Sequence, residues 1–387
     1  MGLLLSFIIG TCVLPQIRAI ATSAVLRNQQ DDKLLTEALR GQTTSNGFTP
    51  MAPGPAKTKE GPAIPRPSSS VLLVSPNNQV LLLQRVKQST SFASAHVFPG
   101  GNVSTFHDGE PPAPEYPERH EDSEIYRLAA IRETFEESGI LLARNAGFGR
   151  LIEVPQAERE EGRRLVHSNE IPFTQWLAQK GGRADLEGLV PFTRWVTPTN
   201  VPKRFTTQMY LYFLPTLNQT PLSDASQAEG QPTADDSSEA EVQIPIPTAD
   251  GGVEHTNARF LPASHFDRLP SPTAYGSLTR EPVAREELEA RRKRLLEFVK
   301  SGAPPWTEMC ISPSVQPPRG GKRREDGRVV LGLHRPGPEL EAMKETGRKR
   351  EGVRDECVLV DFKKEGPRRL EVVSRAEAMG NTEGSKL

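Results

Sequence analysis

Glu124-Ile125-Tyr126-Arg127-Leu128-Ala129-Ala130-Ile131-Arg132-Glu133-Thr134-Phe135-Glu136-Glu137-Ser138-Gly139-Ile140 is the stretch from which the rest of the chain can be organised. An α-helix turns about 100° per residue, so Glu133, Glu136 and Glu137 fall within an arc of roughly 100° on one face. Leu128, Ile131 and Phe135 fall on the opposite face, the one suited to pack on a sheet. Gly139 is placed to stop the helix by taking a left-handed conformation. Three like charges at i, i+3 and i+4 destabilise a helix unless something positive compensates. A hard divalent cation such as Mg2+ accepts carboxylate oxygens, keeps several waters and commonly completes its shell with substrate phosphate. The bland alternative is a solvated acidic face on a surface helix.

Working outward, Val97-Phe98-Pro99-Gly100-Gly101 reads as a strand end running into a glycine loop, followed by a polar, Pro-rich insertion over 102–123. Upstream, order is expected from about Ser70: Val71–Val74, the Pro76-Asn77-Asn78 turn and Val80–Leu83 read as a hairpin of two buried strands. Downstream, Ile140-Leu141-Leu142 reads as a strand, 155–187 as helical, and Leu189–Val196 and Gln208–Phe213 as strands. Residues 218–252 hold seven acidic residues and no Lys or Arg, which predicts a disordered acidic loop between sheet elements. Ala258–Leu261 resumes the sheet, and 282–300 reads as a charged helix opened by Pro282. Beyond it, 303–387 alternates Pro/Gly-rich stretches with two short strand candidates, Arg328–Leu333 and Cys357–Phe362. The expected division is 1–30 as a targeting segment or extension, 31–69 as linker, 70–300 as the main domain and 301–387 as a C-terminal extension.

Composition narrows the function classes. With 36% hydrophobic residues, and 31 Gly and 35 Pro in 387 residues, there is material for one sizeable core and for long irregular segments. A net charge of −1 implies no global attraction to nucleic acid or membrane. Acidic residues interleave the basic runs Arg291–Arg294, Arg319–Arg324 and Arg348–Arg350, which read as solvated faces, so no nucleic-acid partner is expected. Cys12, Cys310 and Cys357 are far apart and form no CxxC pair, which disfavours a disulfide scaffold and a cysteine zinc site. No run of 18 apolar residues exists, so no stable membrane span is expected.

The ends carry address-like features. Leu3–Leu14 is apolar and no acid precedes Asp31. That segment fits a secretory signal, a mitochondrial transit peptide or, through Gly2 and Ser6, a myristoylation site, or else an extension without function. Ser385-Lys386-Leu387 is the tripeptide read by the peroxisomal import receptor, which makes the peroxisome the expected location and the mitochondrion the alternative.

Glu124-x7-Arg132-Glu133-x2-Glu136-Glu137-x-Gly139-Ile140, preceded by Phe98-Pro99-Gly100-Gly101, resembles the signature of the Nudix hydrolases. Two departures stand out. The family places five residues between the second glycine and the first glutamate, whereas 22 separate Gly101 from Glu124, and Thr134 stands where an aliphatic residue is usual. A loop tolerates such an insertion at little entropic cost. A similarly interrupted box is found in the peroxisomal coenzyme A diphosphatase branch, which the chain also resembles through Leu81–Arg85, Ala95–Gly101, Trp195–Pro198 and Pro202–Phe205. Arg85 keeps the spacing to Phe98 of that family's coenzyme A signature, while Val86, Thr90 and Ser94 occupy its other positions.

The resemblance implies an α/β fold: a Nudix α/β/α sandwich with a mixed sheet, interrupted by long loops and flanked by flexible ends. It implies an enzyme that hydrolyses the diphosphate bond of a small-molecule nucleotide substrate, with Mg2+ or Mn2+ held by Glu133, Glu136 and Glu137. Glu133 is the expected base toward water, with Glu254 a second candidate, and Arg132 is expected to pair with a carboxylate and fix the helix. Gly100 and Gly101 let backbone approach closely, and Arg85 and Arg204 are candidate phosphate-binding arginines, with surface salt bridges the alternative. Trp195 reads as core and His96 as a polar strand residue. Coenzyme A or acyl-coenzyme A is the leading substrate class. NADH or another dinucleotide is the alternative, although 141–156 lacks the Ser-Gln-Pro-Trp-Pro-Phe-Pro stretch of the NADH branch. A Nudix scaffold that binds without cleaving is a third reading.

Overall fold

The computed structural model describes residues 62–87, 96–145, 151–201, 203–215, 246–250, 254–262, 285–302, 304–317, 324–342, 352–363 and 366–379. The N-terminal segment, most of the linker and of the acidic loop, and the terminal tripeptide lie outside them. Strands in chain order are β1 (Arg66–Val74), β2 (Gln79–Arg85), β3 (His96–Val97), β4 (Gly100–Asn102), β5 (Ala143–Asn145), β6 (Gly182–Ala184) and β7 (Val190–Val196). They continue as β8 (Phe205–Phe213), β9 (His255–Pro262), β10 (Cys310–Ile311), β11 (Ser314–Val315), β12 (Val329–Gly332), β13 (Glu356–Lys363) and β14 (Gly366–Ser374). The α-helices are α1 (Glu124–Ser138), α2 (Gln156–His167), α3 (Phe173–Gln179), α4 (Arg285–Lys300), α5 (Pro338–Ala342) and α6 (Arg375–Ala378).

An eight-stranded mixed sheet runs β10-β7-β8-β1-β2-β3, with β4 paired to β1 and β9 to β2. β1 lies parallel to β8 and antiparallel to β2 and β4. The apolar runs of β1 and β2 show no alternation because both faces of the sheet are covered. Val71, Leu73, Leu81, Tyr210 and Tyr212 join the cluster with Ile131 and Phe135 of α1 and with Phe173 and Trp176 of α3. Leu72, Val80, Leu82, Met209 and Leu211 point the other way, to Leu295 and Val299 of α4 and Trp306. This is the expected three-layer α/β arrangement. Among the described residues no helix is long and apolar enough to cross a membrane.

Several boundaries differ from the sequence reading. β1 begins at Arg66 rather than Ser70, because Arg66–Ser69 pair with Phe205–Gln208. Ile140-Leu141-Leu142 is not a strand; Ile140 and Leu142 are drawn into the core beside α1, and the ladder begins at Ala143. Past residue 300 the chain adds a four-stranded antiparallel sheet, β11-β12-β13-β14. Leu331, Val358 and Val360 of that sheet, and Leu333 just past β12, share one cluster with Leu72 and Trp195. The C-terminal segment is thus built onto the main core.

Candidate active site

α1 is fixed at both ends and along one side. Gly139 takes φ 70° and donates its N–H to Phe135 O at 2.8 Å, closing the helix as its position predicts. Phe135 stacks on Trp176 with ring centroids 4.8 Å apart, and Ser69 Oγ of β1 donates to Tyr126 O at 2.5 Å. Thr134 is buried and satisfies its hydroxyl on Ala130 O at 2.8 Å, so a polar residue fits the aliphatic position. The acidic face is enclosed: the side chains of Glu133, Glu136 and Glu137 retain 16%, 9% and 11% of their exposure. A solvated surface stripe is therefore not what these residues form.

The glycine loop closes over that face. Gly100, at φ +149°, donates its N–H to Glu137 Oε2 at 2.8 Å. A Cβ on Gly101 would sit 2.5 Å from the Glu133 carboxylate, so that carboxylate occupies the space that the missing side chain leaves. From the other side Arg132, itself buried, grips the cluster. Its Nη1 reaches Glu136 Oε1 at 2.7 Å and Glu133 Oε1 at 2.9 Å. Its Nε and Nη2 donate to Asp108 at 3.0 and 2.8 Å, and Nη2 also donates to Asn102 O at 2.8 Å.

Asp108 was not foreseen. It comes from the 102–123 insertion, which is a built wall rather than slack chain. Ser104 N–H donates to Asp108 Oδ2 at 2.9 Å. Neighbouring His107 accepts from Phe173 N–H on Nδ1 at 3.1 Å, which leaves Nε2–H to donate to Asn169 Oδ1 at 2.9 Å. Further along, Tyr210 Oη donates to Asp122, and Arg194 Nη2 to Glu121 O. The polar composition of this segment satisfies buried partners, which composition alone does not distinguish from solvation.

The end of the acidic loop also returns to the site. Thr248 N–H donates to Ser138 O at 2.9 Å at the end of α1, so 246–250 are not disordered as expected. Asp250 accepts the backbone N–H of Glu254 at 2.9 Å and of His255 at 3.1 Å, turning the chain into β9. β9 pairs with β2 so that His255 stands opposite Arg85. One ring nitrogen of His255 and one carboxylate oxygen each from Glu137 and Glu254 lie within 4.8 Å of one another. Glu254 is exposed and borders the acidic face.

The NUDT19 Nudix domain model matches residues 113–242, about a third of the chain, spanning α1 and its glutamates. This stretch is similar to the Nudix domain of the NUDT19 type. The chain is 30% identical over 184 residues to "Acyl-coenzyme A diphosphatase NUDT19" of Gallus gallus, covering 36% of this chain and 49% of that one. It is 27% identical over 147 residues to "Putative nudix hydrolase 7" of Caenorhabditis elegans, covering 37% and 42%. The match thus spans less than half the length of either relative. A Nudix hydrolase structure from Alicyclobacillus acidocaldarius is 25% identical over 42% of this chain and 75% of its own, at a TM-score of 0.32.

Electrostatics at the site follow from this enclosure. Burial, reinforced by the Glu136 charge and only partly offset by Arg132, pushes the Glu133 carboxyl up to about 7. Burial and the adjacent Glu133 charge hold Glu137 well above the usual carboxylate range. Negative charge at the site is thus under-compensated by the protein itself. The carboxylate oxygens of Glu137 and Glu254 and a ring nitrogen of His255 converge closely enough to fit a divalent cation.

Arg85, half-buried, acts on Glu137 through its positive charge. Arg204, expected at the substrate phosphates, is instead fully enclosed: it donates to Thr197 O at 2.9 Å and Ala63 O at 2.8 Å and pairs with Glu339 of α5. Its charge is consumed in tying β8 to the C-terminal segment. Trp195 is wholly buried in the core.

Proposed function

We propose that this domain hydrolyses the diphosphate bond of coenzyme A or acyl-coenzyme A with Mg2+ or Mn2+ bound. Water adds across the P–O–P linkage, leaving a phosphopantetheine species and adenosine 3′,5′-bisphosphate. The observation that carries this reading is the enclosed face on which Gly100 holds Glu137 and Arg132 holds Glu133 and Glu136. The printed activity of the Gallus gallus relative supports the substrate class.

Glu133, Glu136 and Glu137 would hold the cation, with Glu254 at its edge. Bound there, it supplies charge neutralisation of the diphosphate and a more acidic water. Glu133 would accept the proton of the attacking water on a carboxylate oxygen. Arg132 is a positioning residue: its Asp108 and Asn102 contacts keep the guanidinium fixed, and it fixes Glu133 and Glu136 in turn. Arg85, opposite His255 in the β2–β9 pair, is the remaining arginine candidate for substrate phosphate.

The test is a panel of coenzyme A, acyl-coenzyme A, NADH and other dinucleotides with Mg2+, using Glu136→Gln as the inactive control. Coenzyme A or its thioesters are expected to give adenosine 3′,5′-bisphosphate. Turnover of NADH alone would replace the substrate class, and turnover of nothing would favour a binding module.

A further inference from the structure

His255 is a buried imidazole. It is 1% exposed, and among the described residues neither ring nitrogen makes an aligned hydrogen bond. An unsatisfied polar group in a dry site costs about 1–3 kcal/mol, so a buried histidine in this state points to a partner supplied from outside the chain. Its Nδ1 faces Glu137 Oε1 at 3.8 Å, and Asp250 Oδ2 lies 3.4 Å away without hydrogen-bond alignment. The ring is held by backbone: β9 fixes His255 opposite Arg85, and Asp250 clamps the His255 N–H. Glu254 is adjacent, and its carboxylate reaches the same space.

We infer that His255 is a nitrogen ligand in the cation site, joining Glu137 and Glu254, so that the site prefers Mn2+ to Mg2+. This rests on the hydrolase reading and adds the donor that the acidic helix does not show. Mg2+ is satisfied by oxygen ligands and keeps its waters, whereas a neutral imidazole is a common ligand of divalent transition ions, Mn2+ among them. The rival assignment is an imidazolium acting as counter-ion to Glu137 and Asp250, which needs no cation.

The experiment uses the purified full chain loaded with Mn2+ and examined by pulsed EPR. Nitrogen hyperfine modulation is expected in the unaltered protein and in His167→Ala, which removes the other nearby ring, hydrogen-bonded to Glu136 Oε2 at 3.1 Å, and is expected to vanish in His255→Ala. In parallel, calorimetry on His255→Ala should show Mn2+ affinity falling about tenfold and Mg2+ affinity changing by less than about threefold. The wild-type EPR signal keeps the test valid should the variant fold poorly. Mn2+ and Mg2+ binding without nitrogen modulation, or with equal loss of both in the variant, overturns the inference and leaves the hydrolase reading standing. Failure of the wild type to bind either ion overturns both.

Discussion

Glu133→Gln isolates the electrostatic cost of the enclosed acidic face. The substitution keeps shape and an oxygen that can still accept from Arg132 Nη1, and removes only the charge. In the cation-free protein Glu133 stays protonated up to about 7, against an ordinary value of 4.5. The folded state therefore binds more protons than the unfolded chain across that window, so wild-type stability falls as pH rises through it. A displacement of that size corresponds to about 3 kcal/mol, fully expressed by pH 8 and absent below pH 4.5. Urea unfolding in chelator should find the variant more stable than wild type by up to about 3 kcal/mol at pH 8. The two should converge at acid pH. Saturating Mg2+ should narrow the gap at pH 8, because it stabilises the ionised wild type. A variant less stable than wild type at pH 8 without cation would refute the reasoning, since Glu133 would then be a net stabilising charge.

Asp108→Asn should weaken the buried grip on Arg132, costing about 3 kcal/mol in unfolding free energy. It should also lower kcat more than KM, because Arg132 positions Glu133 and Glu136. Gly101→Ala places a Cβ 2.5 Å from the Glu133 carboxylate. It should cut kcat on the order of a hundredfold while the far-UV spectrum is retained. Arg204→Ala should leave KM unchanged and lower the unfolding midpoint, since its partners are Thr197, Ala63 and Glu339. Chelation should abolish turnover, with recovery on adding Mg2+ or Mn2+.

How far the sequence carried the account depends on whether the signal was local. The span of α1, its Gly139 stop and the side it turns to the sheet follow from helical periodicity and glycine stereochemistry, and the structure repeats them. β1 and β2 were legible because continuous apolar runs mark strands covered on both faces. What was not legible was made by long-range pairing. Asp108 reaches Arg132 only because the insertion folds back, and His255 meets Glu137 only because β9 pairs with β2. Arg204 looked like a phosphate ligand because its partner Glu339 lies 135 residues away. β14 escaped notice because Arg368, Arg369 and Glu371 interrupt its apolar pattern, which a strand at the edge of the second sheet tolerates.

The central claim is that the buried carboxylates of α1 form a cation-dependent hydrolytic centre. Titrating Mg2+ calorimetrically into wild type and Glu137→Gln tests it most directly. Saturable binding that the variant loses, in parallel with its turnover of coenzyme A, is the predicted result. Undiminished binding and turnover in Glu137→Gln would contradict it.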